Sequence, residues 1–133
     1  MSYVTLNAKI AELIRAVSDV AVVYEYDKKE LANFPSVTVS PISHQNQMYD
    51  TAANKRNFTF IVRIYNRNDD TGASEATLLK LLDDITDALE SKPTLEGACD
   101  IARATQAKWA YQDREVPVRV IELTIEASKR VLR

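Results

Sequence analysis

The chain has 133 residues, 46% hydrophobic and 27% charged, which is enough apolar material for one core and not for two. Lys plus Arg number 17 against 19 Asp plus Glu, a formal net charge of −2, and general nucleic-acid binding would need a basic excess. With only Gly72 and Gly97, one cysteine and one histidine, no glycine-rich phosphate loop, internal disulfide or thiolate zinc cluster can be written.

Residues 6–17 predict a helix. Leu6, Ile10, Leu13, Ile14 and Val17 form one apolar stripe, Lys9, Glu12 and Arg15 face away, and Thr5 is placed to cap the start. Residues 20–26 are dense in β-branched and aromatic types and too short for a helix, so they predict a strand. A polar connection, Asp27-Lys28-Lys29-Glu30, leads to a strand at Ser36–Ser40 with Val37 and Val39 on one face. Pro35 and Pro41 bracket it, as residues that cannot donate to a ladder do.

Residues 43–56 show neither period and predict a long, protruding polar loop. Within it, Met48 and Tyr49 are an adaptable apolar pair, and Gln45, Asn46 and Gln47 can pair with backbone edges. Residues 57–65 return to strand, with Phe58, Phe60, Val62 and Ile64 on one face. Asn66–Gly72 reads as a turn. Residues 74–90 predict a second helix with Ser74 as cap, a stripe of Leu78, Leu81, Leu82, Ile85 and Leu89, and a stop before Pro93. Residues 99–111 and 117–128 predict a hairpin with its turn at 112–115. Ile121, Leu123 and Ile125 then face the core, and Glu122, Thr124 and Glu126 face water.

The order predicts an α+β two-layer sandwich over residues 1–133. Its sheet is mainly antiparallel, of about four or five strands, with two helices packed on one face. No apolar run is long enough to cross a bilayer. The start, Met1-Ser2-Tyr3-Val4, lacks the basic and apolar stretches of a secretory signal, so the expectation is a cytosolic chain with no membrane partner.

No chemical motif dominates. His44 in a polar loop has no rigid partner beside it, and Cys99 at a strand start reads as a small inert side chain. Asn66–Gly72 faintly resembles a calcium loop, but its glycine is displaced and Thr77 stands where the distal carboxylate belongs, so an Asx-rich turn is the better reading. The second helix carries Asp83, Asp84, Asp87 and Glu90; Asp83 and Asp87 are i,i+4 like charges, and Asp87 and Glu90 also sit near the negative end of the dipole. That is either a solvated face or an acidic surface kept for a partner or for lining a channel that must not grip DNA. Trp109, Tyr111 and Tyr65 serve as core, as an interface anchor or, more weakly, as a platform for bases.

The chain resembles the tail-terminator (tail-completion, minor tail protein U-like) proteins of tailed bacteriophages, and more loosely their head–tail joining proteins. The likeness rests on the helix Leu6–Val17, the strand Phe34–Val39, the long segment before Asn57–Tyr65, the helix Thr77–Leu89 and the closing strand Val118–Ile125. It is one of size and element order rather than of a diagnostic motif. It implies a virion protein at the head-proximal end of the tail, assembled in the host cytoplasm, with no catalytic residues and no cofactor or metal. Its partners would be copies of itself in a ring, typically a hexamer, the tail tube protein and a head–tail connector protein, with genomic DNA passing through the lumen unbound. The candidate assembly residues are Gln45, Asn46, Gln47, Met48, Tyr49, Asp83, Asp87, Glu90, Trp109 and Tyr111. The alternatives are a neck adaptor or stopper, and a small cytosolic enzyme using His44 or the acidic helix.

Overall fold

The computed structural model describes residues 3–18, 20–26, 33–48, 53–67, 73–112 and 118–132. The elements run α1 (Tyr3–Arg15), β1 (Val22–Tyr24), β2 (Ser36–Met48), β3 (Ala53–Arg67), α2 (Ala73–Glu90), β4 (Ile101–Gln112) and β5 (Val118–Leu132). The strands form one five-stranded mixed sheet in the order β1-β2-β3-β5-β4. The fold is α+β, with both helices packed on one face of the sheet.

Alternation along the strands decides which face the helices cover. Phe58, Phe60, Val62 and Ile64 of β3 lie beside Ile121, Leu123, Ile125 and Ala127 of β5 in an uninterrupted antiparallel register. All eight are buried, against Leu6, Ile10, Ala11 and Ile14 of α1 and Leu78, Leu81, Ile85 and Leu89 of α2. The opposite face is polar over its middle, where Arg63 stands across from Glu122 at 3.4 Å. At one end it holds a second small cluster, Tyr65, Val118 and Val120, with Phe34 and Ala110 packed on it. The Arg67 guanidinium sits 5.7 Å from the centre of the Phe34 ring.

The helices end for local reasons. After α2, the Ser91 and Lys92 amides donate to the carbonyls of Asp87 and Leu89, and Pro93 follows. The chain then turns through three residues with positive φ, Leu95 (49°), Glu96 (56°) and Gly97 (91°). The Leu95 side chain is fully buried in the core. On the other side Asn7 of α1 donates to the Glu25 carbonyl at 2.9 Å and Arg15 to the Val23 carbonyl at 3.3 Å, tying α1 to β1.

Several expectations need correction. The α1 helix starts at Tyr3 and ends at Arg15, so Thr5 lies inside its first turn; likewise α2 starts at Ala73, ahead of Ser74. The strand expected over 20–26 shrinks to Val22–Tyr24 and pairs in parallel with Ser36–Thr38, which makes the sheet mixed. The largest correction concerns 43–56. β2 runs through to Met48 and β3 begins at Ala53, so the expected loop is an extended hairpin. Its sequence shows no alternation because, beyond the helices, neither face has a core to bury residues in. The C-terminal strand runs on to Leu132, as the third strand of this extension. Asn66 and Arg67 close β3 rather than open a turn, and Cys99 precedes β4. Residues 49–52, 68–72 and 113–117 lie outside the described residues, with the hairpin tip, most of the Asx-rich turn and the β4–β5 turn.

Candidate assembly surfaces

Three surfaces stand out, and the first is the extension of the sheet. The core reaches along the strands only as far as Phe58 and Ala127. Past them the register continues through Gln45–Asn57–Ser128, Asn46–Arg56–Lys129, Gln47–Lys55–Arg130 and Met48–Asn54–Val131. At ~3.3 Å per residue, Ala53–Asn57 projects the arm roughly 15 Å beyond the helix-covered sheet. At its root β2 carries a bulge between Pro41 and Ser43, and Ile42 is 53% exposed there. The β1 strand covers β2 only from Ser36 to Thr38. Among the described residues, the outer edge of β2 beyond that point has no strand beside it.

The predicted residues Gln45, Asn46, Gln47 and Met48 therefore lie on a paired strand, and His44 lies opposite Phe58 rather than in a loop. Tyr49 lies outside the described residues. Sequence reasoning passed over the arm's charge. Lys55 faces Arg130 and Arg56 faces Lys129, each pair directly across neighbouring strands. Alternation places Arg56 and Lys129 on the helix side of the sheet, with Phe58 and Ala127, and Lys55 and Arg130 on the other. Two Lys-Arg dipeptides, 55–56 and 129–130, were the available signal, visible only once β3 and β5 are known to pair. At the root of the arm Asp100 Oδ2 accepts the Arg130 backbone N–H at 2.7 Å.

The second surface is the outward face of α2. Asp83, Asp87 and Glu90 are exposed on the side away from Leu78, Leu81, Ile85 and Leu89. Lys80 neutralises Asp84 at 2.8 Å. At the other end of the helix, Glu75 meets Arg119 of β5 at 3.3 Å.

The third surface is the edge strand β4, paired only with β5 among the described strands. Ile101 and Trp109 are 53% and 43% exposed along it. Trp109 is opposite Ile121 and Tyr111 opposite Arg119, whereas Tyr65 lies in the row of Val120 and Ala110 and is buried on the opposite face. Trp109 and Tyr65, expected to work together, thus lie in rows on opposite faces.

Chemistry is sparse. Cys99 is 4% exposed, and burial pushes its thiol up to about 11. The Asp100 carboxylate adds to the rise and the Lys129 ammonium opposes it. A thiol held protonated in this way is a poor nucleophile. Among the described residues, no group of three or more His, Cys, Asp or Glu side chains converges on a point. No described helix is long and apolar enough to cross a membrane.

No protein-family profile and no curated protein matches the chain. A solved structure does. The chain is similar to a chain of the virion of a native gene transfer agent particle, with a TM-score of 0.56 and 16% identity. The match covers 96% of this chain and 95% of that one. At this identity the likeness is one of fold.

Proposed function

We propose that this protein is a structural, non-enzymatic component of a tailed-phage-like virion, which forms a ring at the head-proximal end of the tail tube. The ring ends tube polymerisation and presents the surface that the head joins. One observation carries the reading. The fold matches a chain of a gene transfer agent virion over nearly the full length of both. A ring subunit needs a rigid body, and the helix-covered sheet supplies it. It also needs an element that reaches a neighbour, and the arm projects from that body with an open strand edge on β2. Extended edges take a further strand through main-chain hydrogen bonds, so β2 and β4 both suit contacts between subunits.

On this reading the chain is a single ring-forming unit, and its partners are copies of itself, most simply six, together with the tube protein and a connector. The DNA passes through the lumen. Low net charge suits such a passage, because a strongly basic lining would hold the phosphates. Electron microscopy of the purified protein, alone and mixed with tail tubes, tests the proposal. Rings alone and capped tubes of fixed length support it. Rings that bind connector complexes and ignore tubes place the protein in the neck instead. A monomer that binds neither overturns it.

A further inference from the structure

Two surfaces of this chain are each unfavourable to the isolated subunit, and they carry opposite signs. In the arm, Lys55 and Arg130, and Arg56 and Lys129, stand directly opposite across β3 and β5. Like charges in that relation destabilise a sheet. The Arg130 backbone N–H donates to Asp100 Oδ2. On α2, Asp83 and Asp87 are a like-charge pair one turn apart, and Asp87 and Glu90 lie in the last turn, where the dipole is already negative and no basic residue stands. No ion pair joins Asp83, Asp87 or Glu90 to another described residue, and all three are exposed.

We infer that the basic arm of one copy docks on the acidic outer face of α2 in the next copy. The inference rests on the ring reading and names the contact that would close the ring. Among the described residues, no ion pair joins the two surfaces within one chain. The arm continues the plane of the sheet, while the three carboxylates lie on the far side of a helix about 10 Å across that is packed on that sheet. A contact between two different patches is heterologous, and copies joined through it close into a ring when the rotation permits. Opposite charges relieve both repulsions at once, which explains why a chain of net charge −2 keeps each cluster. A nucleic acid would relieve only the arm and leave the helix as it is.

The test is a charge exchange. One variant carries K55E, R56E, K129E and R130E, and the other carries D83K, D87K and E90K. Each is followed by analytical ultracentrifugation at low and high salt, with thermal unfolding as a check on folding. Wild-type assembly should weaken at least tenfold in high salt. Each variant alone should fold and remain monomeric, because its arm and helix now share one sign. Mixing the two should restore assembly, since each arm then finds a helix of opposite charge. If the fourfold reversal fails to fold, K55Q with K129Q replaces it, and an unchanged or raised Tm with tenfold weaker assembly is expected. Wild-type rings that ignore salt and both reversals overturn this inference and leave the ring reading standing. Pairs restored on mixing without closed rings support the contact and overturn the ring. Duplex DNA retained by the wild type and lost from the arm variant, with self-assembly unchanged, overturns the inference in favour of a nucleic acid.

Discussion

The Tyr3 hydroxyl donates to the Ser43 carbonyl at 2.8 Å, joining the first turn of α1 to the bulge from which the arm departs. The Tyr3 ring meets Phe58 edge-on at 4.8 Å and Phe60 at 5.7 Å, so the same side chain closes the core where the helices end. It is a half-buried residue with an apolar body and a polar tip, a combination that suits the border between packed and bare sheet. Removal of the hydroxyl alone, Tyr3→Phe, should cost about 0.5–1.5 kcal/mol. Tyr3→Ala also loses the ring contacts and should cost more. Amide exchange around Ser43 should accelerate in both variants. Unchanged exchange there in Tyr3→Ala would show that the arm root is fixed by other contacts.

The register of β5 predicts a sharp contrast between neighbouring positions. Leu123 is 3% exposed under the helices, and Leu123→Ala should cost ~2–5 kcal/mol. Glu126 points to water on the opposite face, and Glu126→Ala should stay within about 0.5 kcal/mol. Urea unfolding of the two variants measures the difference, and a reversed ranking would shift the register by one residue.

These positions were legible in the sequence because one face of β5 is buried and the other is wet, so Ile121, Leu123 and Ile125 alternate with Glu122, Thr124 and Glu126. The α2 stripe of Leu78, Leu81, Ile85 and Leu89 was legible by its helical spacing. The arm was not. Gln45–Met48 and Ala53–Asn57 pair as regularly as the core strands, but both of their faces lack a core, and strand pairing without burial leaves no period in the sequence. The parallel direction of β1 was not legible for a different reason. Strand direction is set by how the chain returns from Glu25 to Pro35, which no local pattern encodes. The basic arm was hidden as well, since its cations come from segments far apart in sequence and meet only through the β3–β5 register.

Gly97 answers to conformation alone. A Cβ there would meet nothing within 4 Å, yet φ is 91°, a region that side-chain-bearing residues avoid. Gly97→Ala should therefore destabilise by about 1–2 kcal/mol despite the open space. Leu95 adopts positive φ as well, held by full burial of its side chain. Leu95→Gly relieves the backbone and empties the core, and the lost burial should dominate. Thermal unfolding that leaves Gly97→Ala at the wild-type Tm would refute the conformational account.

Cys99 predicts a direction with pH. Its thiol pKa is raised to about 11 in the fold, from a reference value of 9.0, so the native state holds the proton to higher pH than the unfolded chain does. The stability this provides is complete below pH about 9 and is lost as pH rises through about 11. The advantage of wild type over Cys99→Ala in urea should shrink across that window. At neutral pH, iodoacetamide should modify the native protein far more slowly than the urea-unfolded chain. Equal rates would mean that the site is open.

The arm supplies the prediction that bears most directly on assembly. Gln45 and Asn57 are paired, so replacing residues 46–56 with Asn-Gly closes the hairpin just beyond its bulge with a two-residue turn suited to strand twist. The core rows from Phe58 inward keep all their partners, and the Tyr3–Ser43 hydrogen bond remains. The shortened subunit should fold, with a Tm within a few degrees of wild type, because no described core residue lies among those removed. Under the proposed function it should form no rings and leave tail tubes uncapped, since the element that reaches the neighbour is gone. Size-exclusion chromatography with light scattering reads the first outcome, and tube length in electron micrographs reads the second. Rings and tubes of normal length from this variant would remove the arm from the assembly contact. The open edge of β4, with Ile101 and Trp109 exposed along it, would then become the surface to disrupt, with Trp109→Ala as the first substitution to make.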